Sequence, residues 1–286
     1  MIIWLASYPK SGNTWVRSFI ASLLFNENDN LSLKNLSNIP QFPLRSYFNN
    51  FVNNHEIDDL KKVSSYWIKS QQIINLDKKV KFFKTHHALC KINSSIFTNY
   101  ENSLGVIYIV RDPRNVISSI KYHFSKENYI EAKNFLFDEN KCLGKKFDET
   151  SKDKNRDIVT LIASWKTHYN SWKNFKKNYL LIKYENLVSN PYEEFTKISE
   201  YLAKLINIKI QEDKILKAVE NNNFENLKKI ENRDGFAEQA KDTNTGKTKS
   251  FFNLGPKNKW QEKLNIEISQ SIEEKFEIEM KELGYL

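Results

Sequence analysis

The sequence predicts an α/β protein with a mostly parallel central sheet covered by helices on both faces. Three observations predict it. Four short apolar runs, at residues 2–6, 80–84, 105–110 and 179–183, are β-branched or aromatic and bounded by polar segments, as buried strands are. Segments of helical period lie between and after them. Strands alternating with long helices imply right-handed βαβ units, and a parallel sheet follows from those.

The elements follow in order. Residues 14–25 form an apolar helix directly after the first strand. The stretch 57–76 carries Leu60, Val63, Tyr66, Trp67 and Ile74 at helical spacing. The strands at 80–84 and 179–183 are interrupted by lysine, so their edges are the least defined. A helix over 113–124 follows the third strand, with Asp112 as N-cap and Pro113 at its first position. The stretch 157–175 presents Leu161, Trp165, His168, Tyr169 and Trp172 on one stripe. Helices over 191–205 and 265–283 complete the chain. With no Gly/Ser-rich linker and no repeat, residues 1–286 read as a single domain. Two polar stretches stand apart: 141–157, an exposed loop or lid, and 241–250, the most mobile segment near the C-terminus.

Composition bounds the function. The chain carries 44 Lys and Arg against 35 Asp and Glu, a net charge of +9, which favours anionic partners without choosing among them. A hydrophobic fraction of 40% supports a packed core and excludes wholesale disorder. Cys90 and Cys142 build no disulfide framework, and no CxxC spacing points to zinc. The apolar run at 2–6 is too short for a signal peptide, and no run suffices to span a bilayer. A reducing, cytoplasmic setting follows as the expectation.

Two strand-to-helix junctions carry chemistry. In the first, Ser7-Tyr8-Pro9-Lys10-Ser11-Gly12-Asn13-Thr14-Trp15 leaves a buried strand and enters a helix, where α/β folds bind ligands. Gly12 permits a tight turn, and the helix N-terminus offers amides to an anion. Lys10 adds a point charge, and Ser11 and Thr14 add hydroxyl donors, so the loop reads as a phosphate site. It is not GxxxxGK[ST], because its lysine precedes its glycine. In the second junction Arg111 ends a strand, Asp112-Pro113 open a helix, and Ser118 and Ser119 follow two turns in. Arg111 is placed to fork onto a phosphate, or else to pair with Asp112 at the surface.

These motifs resemble the sulfotransferases that use 3′-phosphoadenosine 5′-phosphosulfate (PAPS) and release the bisphosphate PAP. PKSGNTW is similar to their 5′-phosphosulfate loop, and Arg111 with Ser119, eight positions on, is similar to their 3′-phosphate motif. The resemblance implies a P-loop-like sulfotransferase fold. It implies that Lys10 stabilises the leaving phosphate, that Ser11, Gly12, Asn13 and Thr14 cradle the donor, and that Trp15 packs beside adenine. Phe82-Phe83-Lys84-Thr85-His86-His87 closes the second strand. A histidine there suits general-base work, although a lone histidine is more often structural. The family's Lys-x-His falls on Lys84 and His86, and strand alternation turns His87 to the other face. His55, His123 and His168 read as structural or exposed.

The resemblance continues with Tyr184 in LLIKYENL on the nucleotide side, and with Phe224, which stacks on adenine or simply fills the core. Before the last helix the family's R-K-G-x-x-G-x-W meets NLGPKNKW, which keeps Gly255 and Trp260 but has Asn253, Leu254 and Asn258 for Arg, Lys and Gly. Lys257, Lys249 or Lys247 could supply the missing charge. The resemblance thus implies sulfuryl transfer to a hydroxyl or amine of a small-molecule, lipid or sugar acceptor, with no metal. Lys10, Lys84, His86 and Ser119 would do the chemistry. Tyr47, Phe48, Phe51, Tyr66 and Trp67 line an acceptor pocket or pack the core. A P-loop-type small-molecule or nucleotide kinase is the first alternative, disfavoured by the absent Walker A pattern. A basic nucleic-acid-binding protein is the second, disfavoured because the lysines are interspersed with acids.

Overall fold

A computed structural model describes residues 1–26, 32–144, 158–242 and 245–286. Four strands form the central sheet: β1 (Ile2–Ser7), β2 (Lys81–Thr85), β5 (Ser103–Val110) and β8 (Tyr179–Lys183), in the order β2-β1-β5-β8. All three pairings are parallel, with Trp4 beside Phe83 on one side and Val106 on the other. Two-residue antiparallel ladders, β3–β4 (Lys91–Ile92 with Ser95–Ile96) and β6–β7 (Cys142–Leu143 with Thr160–Leu161), lie outside it. The two strands interrupted by lysine are the two edges of the sheet, where a long side chain has room to leave it.

Alternation divides the core in two. Ile2, Trp4 and Ala6 of β1, with Val106, Tyr108 and Val110 of β5, face one layer. Helices α4 (Pro113–His123), α5 (Tyr129–Phe137), α6 (Trp165–Lys173) and α11 (Ile266–Lys275) cover that face. Ile3 and Leu5, with Ile107, Ile109 and Ile182, face the other, under α1 (Asn13–Phe25), α8 (Pro191–Ile206) and α9 (Glu212–Asn221). Every residue of β1 is buried, which is why it reads as a continuous apolar run rather than an alternating one.

Three predicted helices are shorter or broken. The stretch 57–76 splits into α2 (Leu60–Ser64) and α3 (Trp67–Ile74). At the break the hydroxyls of Ser64 and Ser65 donate back to the carbonyls of Lys61 and Lys62, at 2.9 and 2.7 Å. In 157–175 the helix starts only at Trp165, capped by Ser164, because residues 160–161 pair as β7. The segment 265–283 divides into α11 and α12 (Glu277–Glu282) at Phe276, whose ring packs against Phe137 and Trp165. Helices α5, α7 (Tyr184–Ser189), α9 and α10 (Phe224–Asp234) lie in segments where the sequence predicts no helix.

Of the predicted loop at 141–157, residues 145–157 lie outside the described residues; Cys142 and Leu143 are in β6. The 241–250 stretch is tied down among its described residues. Lys249 Nζ donates to the Tyr122 carbonyl and the Ser125 hydroxyl at 2.8 and 2.7 Å, and pairs with Asp242. Among the described residues no helix is long and apolar enough to cross a membrane.

Candidate active site

The carboxyl ends of all four central strands converge on one cavity of about 410 Å³. The loop after β1 supplies Lys10, Gly12, Asn13, Thr14 and Trp15; β2 and its end supply Lys84 and His86; the ends of β5 and β8 supply Arg111 and Tyr184. Helix α4 adds Ser118 and Ser119, and the C-terminal segments close over with Phe224, Glu238 and Gly255. This is where a parallel sheet offers helix N-termini and diverging loops to a ligand.

The phosphate-type loop is built by two left-handed residues, Lys10 at φ 66° and Gly12 at φ 101°. Gly12 serves as the N-cap of α1. A Cβ there would sit 2.5 Å from the Tyr184 ring, so glycine is required both by conformation and by that close approach. Asn13 Nδ2 donates to the Leu5 carbonyl at 2.9 Å and to the Ser7 hydroxyl at 3.2 Å, fastening the loop to its strand. Lys10 Nζ lies 3.8 Å from the Phe251 ring centroid. Desolvation lowers its pKa to about 7, opposed by Glu238 and assisted by Lys84 and Arg111.

His86 is half-buried, with Nδ1 at 2.8 Å from the Ser7 carbonyl oxygen. A carbonyl only accepts, so Nδ1 carries the proton and Nε2 the lone pair. Desolvation, then Lys84, holds its pKa well below 6.5, so the ring is neutral near pH 7. His168 donates from Nε2 to the His86 carbonyl at 3.2 Å and accepts at Nδ1 from the Tyr108 hydroxyl at 2.8 Å, a core role as predicted. His87 points to the opposite side, stacked on Phe97 with centroids 4.4 Å apart.

Beside the loop Arg111 is buried, its guanidinium 4.1 Å from the Tyr184 ring centroid and donating to the Lys10 carbonyl at 3.2 Å. The surface pair with Asp112 does not form; Asp112 accepts from Arg114 instead, at 2.7 Å. Gly255, at φ 52°, would place a Cβ 2.2 Å from the Phe224 ring, so these two residues meet in van der Waals contact at the cavity wall.

Among the described residues, three buried donors on cavity-lining side chains have no protein partner: Trp15 Nε1, Arg111 Nε and Ser118 Oγ. Buried donors without acceptors are costly unless a ligand supplies the acceptors, and phosphate oxygens would do so. The residues present therefore fit an anionic nucleotide. Among the predicted site residues, Ser11 and Lys257 are not part of the cavity wall; Lys257 is exposed on the turn Gly255–Lys257. Lys247 is likewise exposed and outside it, and Lys249 is committed to Tyr122, Ser125 and Asp242. Asn253 and Leu254, which stand in place of the expected Arg and Lys, line the wall, and Lys241 brings a cation to it. The aromatic candidates Tyr47, Phe48, Phe51, Tyr66 and Trp67 all pack with the core, not the cavity.

Sequence reasoning missed several lining residues, two of them titratable groups close to Lys10. His123 lies one turn beyond Ser119 on the same face of α4, a spacing that could have found it. Glu238 carries no local signal; only the return of the chain over the sheet brings it in.

This geometry, a cation-lined cavity beside a helix N-terminus at the carboxyl ends of a parallel sheet, suits an anionic ligand. Comparison with known proteins narrows the class. A family model for the sulfotransferase domain matches residues 2–284. Cytosolic sulfotransferase 13 of Arabidopsis thaliana is 23% identical over 95% of this chain and 74% of its own length. The amine sulfotransferase of Oryctolagus cuniculus is 24% identical over 98% and 81%. Among solved structures, retinol dehydratase in complex with androsterone and inactive cofactor PAP superposes with a TM-score of 0.60, at 18% identity over 98% of this chain and 80% of that one. Mouse sulfotransferase SULT7A1 complexed with PAP gives 0.58, at 18% over 98% and 84%. The chain belongs to the sulfotransferase family, and it is a PAPS-dependent sulfotransferase.

Proposed function

We propose that this enzyme transfers the sulfuryl group of PAPS to a hydroxyl or amine of a small-molecule, lipid or sugar acceptor, with His86 as general base. The observation that carries the reading is the tautomer of His86. Its Nδ1 is spent on Ser7, so its neutral Nε2 is the atom able to take the acceptor's proton. PAPS supplies, when bound, an electrophilic sulfur and a stable bisphosphate leaving group.

This chain's residues do the rest. Lys10 and the amides of the Gly12 turn hold the 5′ end and offset charge on the departing phosphate. Lys84 steadies sulfuryl oxygens beside His86. Arg111, with Ser118 and Ser119, holds the 3′-phosphate, and Trp15, Phe224 and Tyr184 border the nucleotide. Thr14 adds a hydroxyl to the loop. The wall beyond His86 is formed by Gln41, Phe124, Leu143, Gly144 and Thr160, a mixed surface suited to a partly apolar acceptor. Relatives named for amine and 3-alpha-hydroxysteroid sulfation support both acceptor atoms. A cytoplasmic location is consistent with these features.

The test is transfer of labelled sulfuryl from PAPS into pooled hydroxylated and amine-bearing metabolites, with His86→Ala as control. Label appearing in one acceptor fraction, and lost in the variant, supports the reading. Equal labelling by His86→Ala removes His86 as the base.

A further inference from the structure

Glu238 is the one carboxylate among the described residues that line the cavity. It is buried, with its side chain 6% exposed, in the midst of cations. Its Oε1 accepts from Arg17 Nη1 at 2.5 Å and its Oε2 from Lys84 Nζ at 2.8 Å. Arg17 and Lys84 are as deeply buried as the acid, at 7% and 5%. Arg17 sits in α1, directly beyond the phosphate-type loop, and its Nη2 donates to the Leu36 carbonyl at 2.8 Å. One carboxylate thus joins the C-terminal segment, the helix after the loop and an edge strand. A buried charge is tolerated only when paired, so the three groups depend on one another.

We propose that Glu238 is a positioning residue for sulfuryl transfer: by bridging Arg17 and Lys84 it ties Lys84 in the cavity wall to the helix after the loop, and it supplies the counter-charge against which Lys10 and Lys84 can hold an anionic donor. The inference rests on the donor assignment above.

The charges facing Lys10 come from every side. Lys84 and His86 stand on β2 and its end, Arg111 at the end of β5, His123 on α4, Glu231 on α10, and Glu238 on the closing segment. Of the two acids, Glu238 opposes the loss of the Lys10 charge more strongly. It also opposes the same loss at His86 and His123. Removing it leaves a group of cations repelling one another in a desolvated wall, where the lysine gives up its proton at lower pH.

The experiment is calorimetric titration of the full chain with PAP at pH 6 and pH 8, with folding checked by circular dichroism. For Glu238→Gln the ratio of variant to wild-type Kd is expected to be about fivefold larger at pH 8 than at pH 6, the effect of about one pKa unit on a lysine that titrates at about 7. Glu238→Asp, which keeps the charge, is expected to restore most of the wild-type profile. A purely structural role would weaken binding equally at both pH values. If Glu238→Gln does not fold, Arg17→Met combined with Glu238→Met replaces the pair by apolar groups and is expected to show the same pH-dependent loss. An equal ratio at both pH values overturns the proposal. Tighter binding at both also overturns it, and would make Glu238 a competitor for the donor's place. Wild-type protein that fails to bind PAP overturns the donor assignment and this proposal together.

Discussion

The imidazole Nδ1 of His86 lies 2.8 Å from the backbone carbonyl oxygen of Ser7, and this contact fixes which nitrogen of the ring can accept a proton. Asn13, from the phosphate-type loop, donates to the Ser7 hydroxyl, which itself lies 3.3 Å from the same Nδ1. The base and the donor loop are therefore anchored on the same strand end. His86→Ala is expected to lower kcat by roughly 10²–10⁴-fold, the usual worth of a positioned base, and to change PAP affinity by no more than about twofold. Stopped-assay kinetics with a PAP titration check both halves. In the free enzyme the ring is held neutral by desolvation, so the acid limb of kcat/KM is expected well below pH 6.5.

Lys10 predicts a pH dependence of the opposite kind. Its pKa is lowered to about 7 in the free enzyme, and a bound anion raises it. Between those two values the complex holds more protons than the free enzyme, so affinity for PAP falls as pH rises above about 7 and is flat below it. Lys10→Met is expected to bind weakly and to lose that slope. A slope that survives in the variant assigns it to another group.

Arg111 is held between the Tyr184 ring and the Lys10 carbonyl, with Nε unpartnered. Arg111→Lys loses the planar fork and the stacking, and is expected to weaken PAP by about 1.5–3 kcal/mol, roughly ten- to hundredfold. The same change should leave binding of adenosine 5′-phosphosulfate, which lacks the 3′-phosphate, within about twofold of wild type. Lys257→Ala should leave PAP affinity unchanged, since Lys257 stands outside the wall. Competition binding with the two nucleotides measures all three.

Gly255 and Phe224 are coupled by contact. Gly255→Ala meets both a left-handed backbone and the Phe224 ring at 2.2 Å, and is expected to cost about 1–3 kcal/mol of stability. Phe224→Ala alone opens the wall. In the double variant the ring clash is gone, so the two effects should not add, with a coupling of about 0.5–2 kcal/mol in chemical denaturation.

What was legible in the sequence was what is local. The run IIWLAS is a central strand because each residue is buried on one face or the other, and the sequence shows this as uninterrupted apolarity. Lys10, Gly12 to Trp15, Arg111 and His86 sit at strand ends, so their convergence follows from a parallel sheet once the strands are recognised. The break between α2 and α3 has no signal in the apolar pattern, because Ser64 and Ser65 hold their bonds within an otherwise helical stretch. Glu238 and Lys241 were out of reach, because their places depend on how a polar C-terminal stretch returns across the sheet. The charge expected at Lys257 was misplaced for the same reason, since a turn at Gly255 carries that side chain outward.

The central claim is that this cavity holds the sulfuryl donor, and binding of PAP against ATP tests it most directly. In calorimetry with a chelator present, the account predicts that PAP binds and that ATP does not compete at equal concentration. Binding of ATP in preference to PAP would contradict it.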